Sequence, residues 1–195
     1  MLEAEHLPVG YTWQIGGQYE TQQNSFRSLL VVAALALLLV FGLLVAQFRG
    51  FTYAMVIVSA APLSLVGAFG LMLLTHTPLN VSSFMGLILL IGLIVKNGII
   101  LIDYAHVLSE RGVDWREALV RAGGVRLRPI LMTTLCTLFG LLPLALGLGP
   151  GAEMQRPLAI AVIGGLTVST LVTLGFVPVV MSMLKPRSSG LTHED

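Results

Sequence analysis

The amino-acid sequence predicts an all-α membrane protein with about five transmembrane helices and a short amphipathic helix on the cytoplasmic side. Of its 195 residues, 55% are hydrophobic and 11% are charged, and the charges are clustered so that long windows contain none. Crossing a hydrocarbon core of ~30 Å takes ~20 mostly apolar residues in a helix, and several windows of this chain reach that length. The lipid bilayer is therefore the predicted environment of most of the chain.

The two ends of the chain differ from its apolar middle. Residues 1–20 are polar and mixed, with a turn predicted at Gly16 and Gly17. This segment is too short to bury a core of its own, so we expect it to be the end of a water-soluble domain. Residues 21–187 form the predicted transmembrane bundle, and the polar residues 188–195 form a tail that we expect to be disordered.

The predicted spans are windows of mostly apolar residues separated by short polar links. They cover about 28–47, 51–74, 81–104, 129–147 and 158–184. Pro62 should kink the second span because it removes one backbone hydrogen bond, whereas Pro129 can begin the fourth. Two spans carry small residues at every fourth position, which lets helix backbones approach closely, and we interpret these stripes as packing features. Their members are Ala60, Ser64 and Ala68, and Ala161, Gly165 and Ser169.

A polar stretch, residues 106–128, separates the third and fourth spans. Asp114 and Glu117 have the spacing of a capping box, which indicates a helix over about 114–123. Apolar residues at i, i+3, i+4 and i+7 form one stripe along it, as is typical of a helix lying at the membrane surface. These residues are Trp115, Ala118, Leu119 and Ala122.

The lysines and arginines predict the orientation of the spans. With five crossings, eight of them fall on one side and only Arg27 and Arg156 on the other. The eight are Arg49, Arg111, Arg116, Arg121, Arg126, Arg128, Lys185 and Arg187. Positive charge concentrates on the cytoplasmic side, so the C-terminus should be cytoplasmic and the N-terminus outside.

Lys96 is the one cation predicted inside a span. A lysine near the centre of a span costs ~2.5–3.5 kcal/mol, and intramembrane charges are functional by default. Its side chain should lean toward the helix N-terminus, away from the nearer interface, which argues against snorkelling. Asp103 shares its face but stands ~10.5 Å away along the axis. Because no other acid lies in a predicted span, we expect the partner of Lys96 on a helix outside this chain.

Arg126 and Thr133 are seven residues apart and share a helix face at the start of the fourth span. From spacing alone, Arg126 is better explained as an anchor at the cytoplasmic interface. The hydroxyl of Thr133 also has a purely structural explanation, which is a hydrogen bond back to a carbonyl of its own helix.

Several functional classes have no support in the sequence. The net charge of +1 gives no electrostatic basis for binding nucleic acid. No pair among His6, His76, His106 and His193 has metal-ligand spacing, and the single cysteine, Cys136, lies in an apolar run. No phosphate loop, nucleophile elbow or carboxylate pair is present, so we predict no enzyme activity, metal or cofactor.

Three segments together make the family recognisable. They are GLIVKNGIILIDYA over 92–105, EALVRAGGVRLRPILMTTL over 117–135, and GLLPLALGLGPGAEMQRPLAIAVIGGL over 140–166. In this order and at this spacing they resemble the resistance–nodulation–division (RND) efflux transporters. The opening LPVGYTWQIGGQYE resembles the last strand of that family's periplasmic porter region. The five spans would then be the last five of twelve.

The resemblance implies a proton relay. In the hydrophobe/amphiphile branch, a lysine of the tenth helix pairs with two aspartates of the fourth, and an arginine and a threonine of the eleventh complete the relay. By motif these are Lys96 with its neighbour Asn97, Arg126 and Thr133, and Asp103 is an accessory candidate. The resemblance therefore reverses the preference for Arg126 as an anchor. The heavy-metal branch lacks the Lys-Asn pair, so the match favours small amphiphilic substrates.

The resemblance also implies the partners and the location. These are the N-terminal half of the permease, a homotrimer, a periplasmic adaptor and an outer-membrane channel, in the bacterial inner membrane. The aspartate helix and the drug-pocket residues are absent, so we expect a gene fragment, a split subunit or a truncated reading frame. Two alternatives stay open, a non-transporting membrane module that acts by helix association and a non-functional remnant.

Overall fold

The structure, a computed structural model, describes residues 18–48 and 50–184, and this part of the chain contains five α-helices and no strand. They are α1 (Gln18–Phe48), α2 (Phe51–Leu74), α3 (Val81–Glu110), α4 (Trp115–Ala145) and α5 (Ala152–Met183). All five are long and apolar enough to cross a membrane. The predicted all-α membrane fold is thus confirmed. The porter-like segment before residue 18 and the tail 188–195 lie outside the described residues.

Local side-chain chemistry fixes where α3 and α4 begin. Asn80 caps α3, because its Oδ1 accepts from the backbone N–H of Ser83 at 2.9 Å and Ser83 Oγ accepts in return from the Asn80 N–H. Asp114 caps α4 by accepting from the N–H of Arg116 at 3.1 Å. Glu117 does not complete the predicted capping box there and instead pairs with Arg121 one turn later.

The predicted surface helix over 114–123 is not a separate element. It forms the first turns of α4, which continues without interruption through Pro129. Its apolar stripe is buried against the other helices. The location of this segment at the membrane surface stays a prediction. Pro129 is tolerated inside α4 because it removes only one backbone hydrogen bond, and the residues before it include good helix formers. At ~45 Å each, α3 and α4 exceed the hydrocarbon thickness.

Helix α5 lies at the centre of the bundle and packs against α2, α3 and α4. Both predicted small-residue stripes are buried. The backbones of α2 and α5 approach closely, so that a Cβ on Gly164 would stand 2.6 Å from the carbonyl oxygen of Gly67. By contrast, only 6% of the most apolar window of α1 is buried, against 56% for α5. The predicted packing role of the stripes is therefore confirmed, and α1 lies at the periphery.

Two sets of contacts define the ends of the bundle. At the first, which we call the Trp115 end, the rings of Phe48, Tyr53, His106 and Trp115 pack together, and Trp115 Nε1 donates to the carbonyl of Met181 at 3.2 Å. At the opposite end, which we call the Asn80 end, Phe26 contacts Phe84, and Ser82 Oγ donates to the carbonyl of Met154 at 2.8 Å. Successive helices therefore alternate in direction. Helices α1, α3 and α5 begin at the Asn80 end.

Candidate functional site

Lys96 lies near the middle of α3 on the outer surface of the bundle. Its side chain is exposed, and it forms no ion pair or hydrogen bond with any of the residues that the structure describes. The next residue, Asn97, points inward and is buried. Lys96 thus faces outward from the bundle, and Asn97 faces its interior. The exposed face that carries Lys96 is otherwise apolar for most of its length, with Met85 and Leu89 toward the Asn80 end.

Asp103 shares this exposed face of α3, as its spacing predicts. It lies ~10.5 Å from Lys96 along the helix axis, and the two residues form no ion pair. Within the described ranges, Glu117 and Arg121 form the one ion pair, and that pair is exposed. Asp103 therefore does not supply the counter-charge that Lys96 needs inside a membrane.

Arg126 is half-buried on α4, whereas the other arginines of this helix are exposed. Its guanidinium carbon Cζ lies 4.8 Å from the centroid of the Tyr104 ring on α3. Its Nε atom is buried and has no hydrogen-bond partner in the described part of the chain. The ring of Tyr104 is thus the contact that holds this cation.

Thr133 is exposed on the same face of α4 as Arg126. Its Oγ1 lies 3.0 Å from the carbonyl oxygen of Ile130 and 3.2 Å from that of Pro129, so it bonds back to its own helix as the sequence suggests. Thr137 does the same with the carbonyl of Thr133 at 2.9 Å. The hydroxyl of Thr133 donates its hydrogen inside the helix but keeps its acceptor capacity.

The contact between Tyr104 and Arg126 sets the relative depth of the other site residues. Lys96 lies eight residues, or ~12 Å, from Tyr104 toward the Asn80 end of α3. Thr133 lies seven residues, or ~10.5 Å, from Arg126 in the same direction along the antiparallel α4. Lys96 and Thr133 therefore stand at the same depth to within about one helical turn. The structure brings the four predicted residues to one region of α3 and α4, and it leaves Lys96 and Thr133 open at the bundle surface.

Sequence reasoning missed the polar contacts between helices. Thr134 and Thr170 join α4 to α5 through hydroxyls 3.1 Å apart, and Thr170 also donates to the carbonyl of Leu166, so Thr134 must be the donor to Thr170. Ser169 and Thr173 of α5 are fully buried, and their hydroxyls have no partner among the described residues. Threonines and serines on apolar helix faces were visible in the sequence, but their pairing depends on how the helices are rotated.

Comparison with known proteins identifies the family. The sequence profile of the AcrB/AcrD/AcrF family matches residues 1–185. The chain belongs to the AcrB/AcrD/AcrF family. The predicted resemblance to RND efflux permeases is thereby confirmed, and membership of this family makes the chain a multi-pass membrane protein.

Solved structures related to this AcrB/AcrD/AcrF family member include two crystal forms of a heavy metal efflux pump. Form II is 38% identical, with a TM-score of 0.77, and form I is 39% identical, with a TM-score of 0.73. Each match covers 86% of this chain but only 16% of the pump's chain. The chain thus spans about a sixth of the length of the pumps it matches. In the described residues, no group of three or more histidine, cysteine or acidic side chains could hold a metal ion.

Proposed function

We propose that this chain is the C-terminal membrane part of a proton-driven RND efflux permease that exports small amphiphilic compounds. In this proposal Lys96, Asn97, Arg126 and Thr133 carry part of the proton relay, with Asp103 as an accessory group. The observation that carries it is that Lys96 is exposed and unpaired on the bundle surface, at nearly the same depth as Thr133.

The energetic cost of Lys96 supports the proposal. An unpaired ammonium facing lipid near the centre of a span costs ~2.5–3.5 kcal/mol, so the working protein needs a carboxylate against it. Such an ion pair is a proton switch. Protonation of the carboxylate removes its charge and the attraction to Lys96, and the helices that carry the two groups can then repack. Thr133, whose hydroxyl keeps its acceptor lone pairs, would receive a hydrogen bond from the released ammonium or from water.

The proposed orientation places the Trp115 end in the cytoplasm. Arginines Arg111, Arg116, Arg121 and Arg128 cluster at this end, whereas Arg156 lies at the other. Through the family, we also propose a homotrimer in the bacterial inner membrane that works with a periplasmic adaptor and an outer-membrane channel. The cargo pocket would belong to the rest of the permease, and this part would have no enzymatic activity and no cofactor.

A heavy-metal cargo is the second candidate, and the similarity to solved heavy metal efflux pumps favours it. The Lys96-Asn97 pair favours the amphiphile branch instead. Sensitivity of cells that carry the complete permease separates the two. Protection against cationic dyes and detergents supports amphiphile export, whereas protection against silver, copper or zinc salts alone would assign the permease to metals.

The central experiment is the substitution Lys96→Met in the complete permease. We expect loss of efflux with normal amounts of protein in the membrane, because methionine is unbranched and only one heavy atom shorter than lysine but cannot pair with a carboxylate. The matched control is Leu89→Met on the same exposed face of α3, which should leave efflux unchanged. Undiminished efflux in the Lys96→Met variant would overturn the proposal.

Co-expression separates the proposal from the helix-association alternative. This chain and the N-terminal half of the permease would be produced separately and together. Efflux only when both are present supports the permease assignment, whereas association with unrelated membrane proteins without efflux supports a non-transporting module.

A further inference from the structure

The contact between Arg126 and Tyr104 is not what an interfacial anchor requires. An anchoring arginine extends its guanidinium into water or among lipid headgroups. Arg116, Arg121 and Arg128 are exposed in this way, and Arg121 also pairs with Glu117. Arg126 instead turns against α3, with its Nε buried and unpartnered and its Cζ over the ring of Tyr104.

The ring face of Tyr104 is suited to holding this cation. An arginine side chain stays positively charged in proteins, and its planar guanidinium stacks on aromatic faces. A cation within ~6 Å of a ring centroid is attracted by the negative face of the ring, and the 4.8 Å observed here lies inside that limit. Asp103 is the neighbour of Tyr104 in the chain, yet it forms no ion pair with Arg126.

We propose that Tyr104 is a positioning residue for Arg126, which its ring face holds on the Trp115 side of Lys96. The inference rests on the proposed function, because it concerns the same relay. The contact fixes the register of α4 against α3 at this point, and so it sets the depth of Thr133 relative to Lys96. A ring face also holds the guanidinium less tightly than a carboxylate would. Arg126 can therefore leave Tyr104 when the charge beside Lys96 changes.

The contact can be tested on this chain by nuclear magnetic resonance in detergent micelles. Protons above the face of an aromatic ring are shifted upfield, so the side-chain resonances of Arg126 should be shifted relative to those of Arg128. We expect this shift to persist in the Tyr104→Phe variant, which keeps the ring, and to disappear in Tyr104→Leu. An unshifted Arg126 in the original chain would overturn the inference.

The role is tested by transport in the complete permease. Tyr104→Leu should lower efflux about tenfold, the scale of one cation–π contact, while Tyr104→Phe and Tyr104→Trp stay active. If Tyr104 acts through the relay, the pH dependence of the remaining efflux should shift. A purely structural role would lower efflux equally at every pH, and that result would overturn the inference.

Arg126→Gln separates failure of this inference from failure of the proposed function. We expect it to abolish efflux, while Arg128→Gln on the exposed face leaves efflux unchanged. Full activity of Arg126→Gln would overturn both the relay role of Arg126 and the positioning role of Tyr104. Loss of activity in Arg126→Gln with full activity in Tyr104→Leu would overturn the role of Tyr104 alone and leave the proposed function standing.

Discussion

At the scale of single residues, what distinguishes Thr133 from the other threonines of α4 is where its hydroxyl lies. Thr134 is buried against Thr170, whereas Thr133 is exposed near the depth of Lys96. The hydroxyl of Thr133 donates its hydrogen bond to a backbone carbonyl of its own helix. We expect Thr133→Val to reduce efflux by the complete permease about 100-fold, the lower bound of what a positioned proton-transfer group contributes. Thr133→Ser, which keeps the hydroxyl, should retain efflux.

Thr137 offers a matched control for this substitution. It makes the same bond back to its helix, at 2.9 Å to the carbonyl of Thr133, but lies one turn further from Arg126. Thr137→Val should therefore leave efflux unchanged. Equal losses in the Thr133→Val and Thr137→Val variants would mean that the helix needs its back-bonded hydroxyls for shape and that Thr133 has no special part in proton transfer.

The residues that sequence could and could not reveal differ in one physical respect. Lys96 could be found because a charge in an apolar span is visible in the linear pattern and its energetic cost is known. The contact of Arg126 with Tyr104 could not be found, because it depends on which faces of two neighbouring helices meet. The family resemblance selected Arg126 as a relay residue but gave no indication of what holds it.

At the scale of elements, the five helices followed from apolar length, and their ends were harder to predict. The third predicted span ended at residue 104, but α3 continues to Glu110, and only residues 111–114 separate it from α4. Hydropathy reports where a helix leaves the membrane and not where it ends. For the same reason, the surface helix and the fourth span were predicted as two elements although α4 is one.

The close packing of α2 on α5 predicts that an added side-chain atom at their contact lowers the stability of the bundle. A Cβ at Gly164 would meet the backbone oxygen of Gly67 at 2.6 Å and the Leu71 Cβ at the same distance. Because backbone cannot move aside as a flexible side chain can, Gly164→Ala should destabilise the bundle by about 1–3 kcal/mol. Unfolding of the purified chain in mixed micelles, followed by circular dichroism, measures this change.

Gly175 in the same helix is the control. A Cβ there meets nothing within 4 Å, so Gly175→Ala should be neutral or should stabilise α5 by up to about 1 kcal/mol through helix propensity. If both variants unfold alike, the approach of α2 to α5 does not limit stability. The close contact of Gly164 with the α2 backbone would then contribute nothing to stability.

At the scale of the whole molecule, one end of the bundle joins all its helices. Rings from α1 to α4 meet at the Trp115 end, and the indole of Trp115 adds a hydrogen bond to α5. The arginine-rich turn between α3 and α4 lies at this same end. The orientation of the molecule is therefore defined by which side of the membrane the Trp115 end faces.

Chemical labelling answers that question, because Cys136 is the only cysteine of the chain and Cys136→Ser gives a cysteine-free background. Single cysteines would replace Glu110, exposed at the Trp115 end, or Gln155, exposed at the Asn80 end. Neither substitution removes a lysine or arginine, so the charge bias that sets the orientation is kept. In intact spheroplasts, a membrane-impermeant maleimide should label the Gln155→Cys variant and leave Glu110→Cys unlabelled until the membrane is permeabilised. Labelling of Glu110→Cys alone would reverse the proposed orientation and place the arginine-rich end outside.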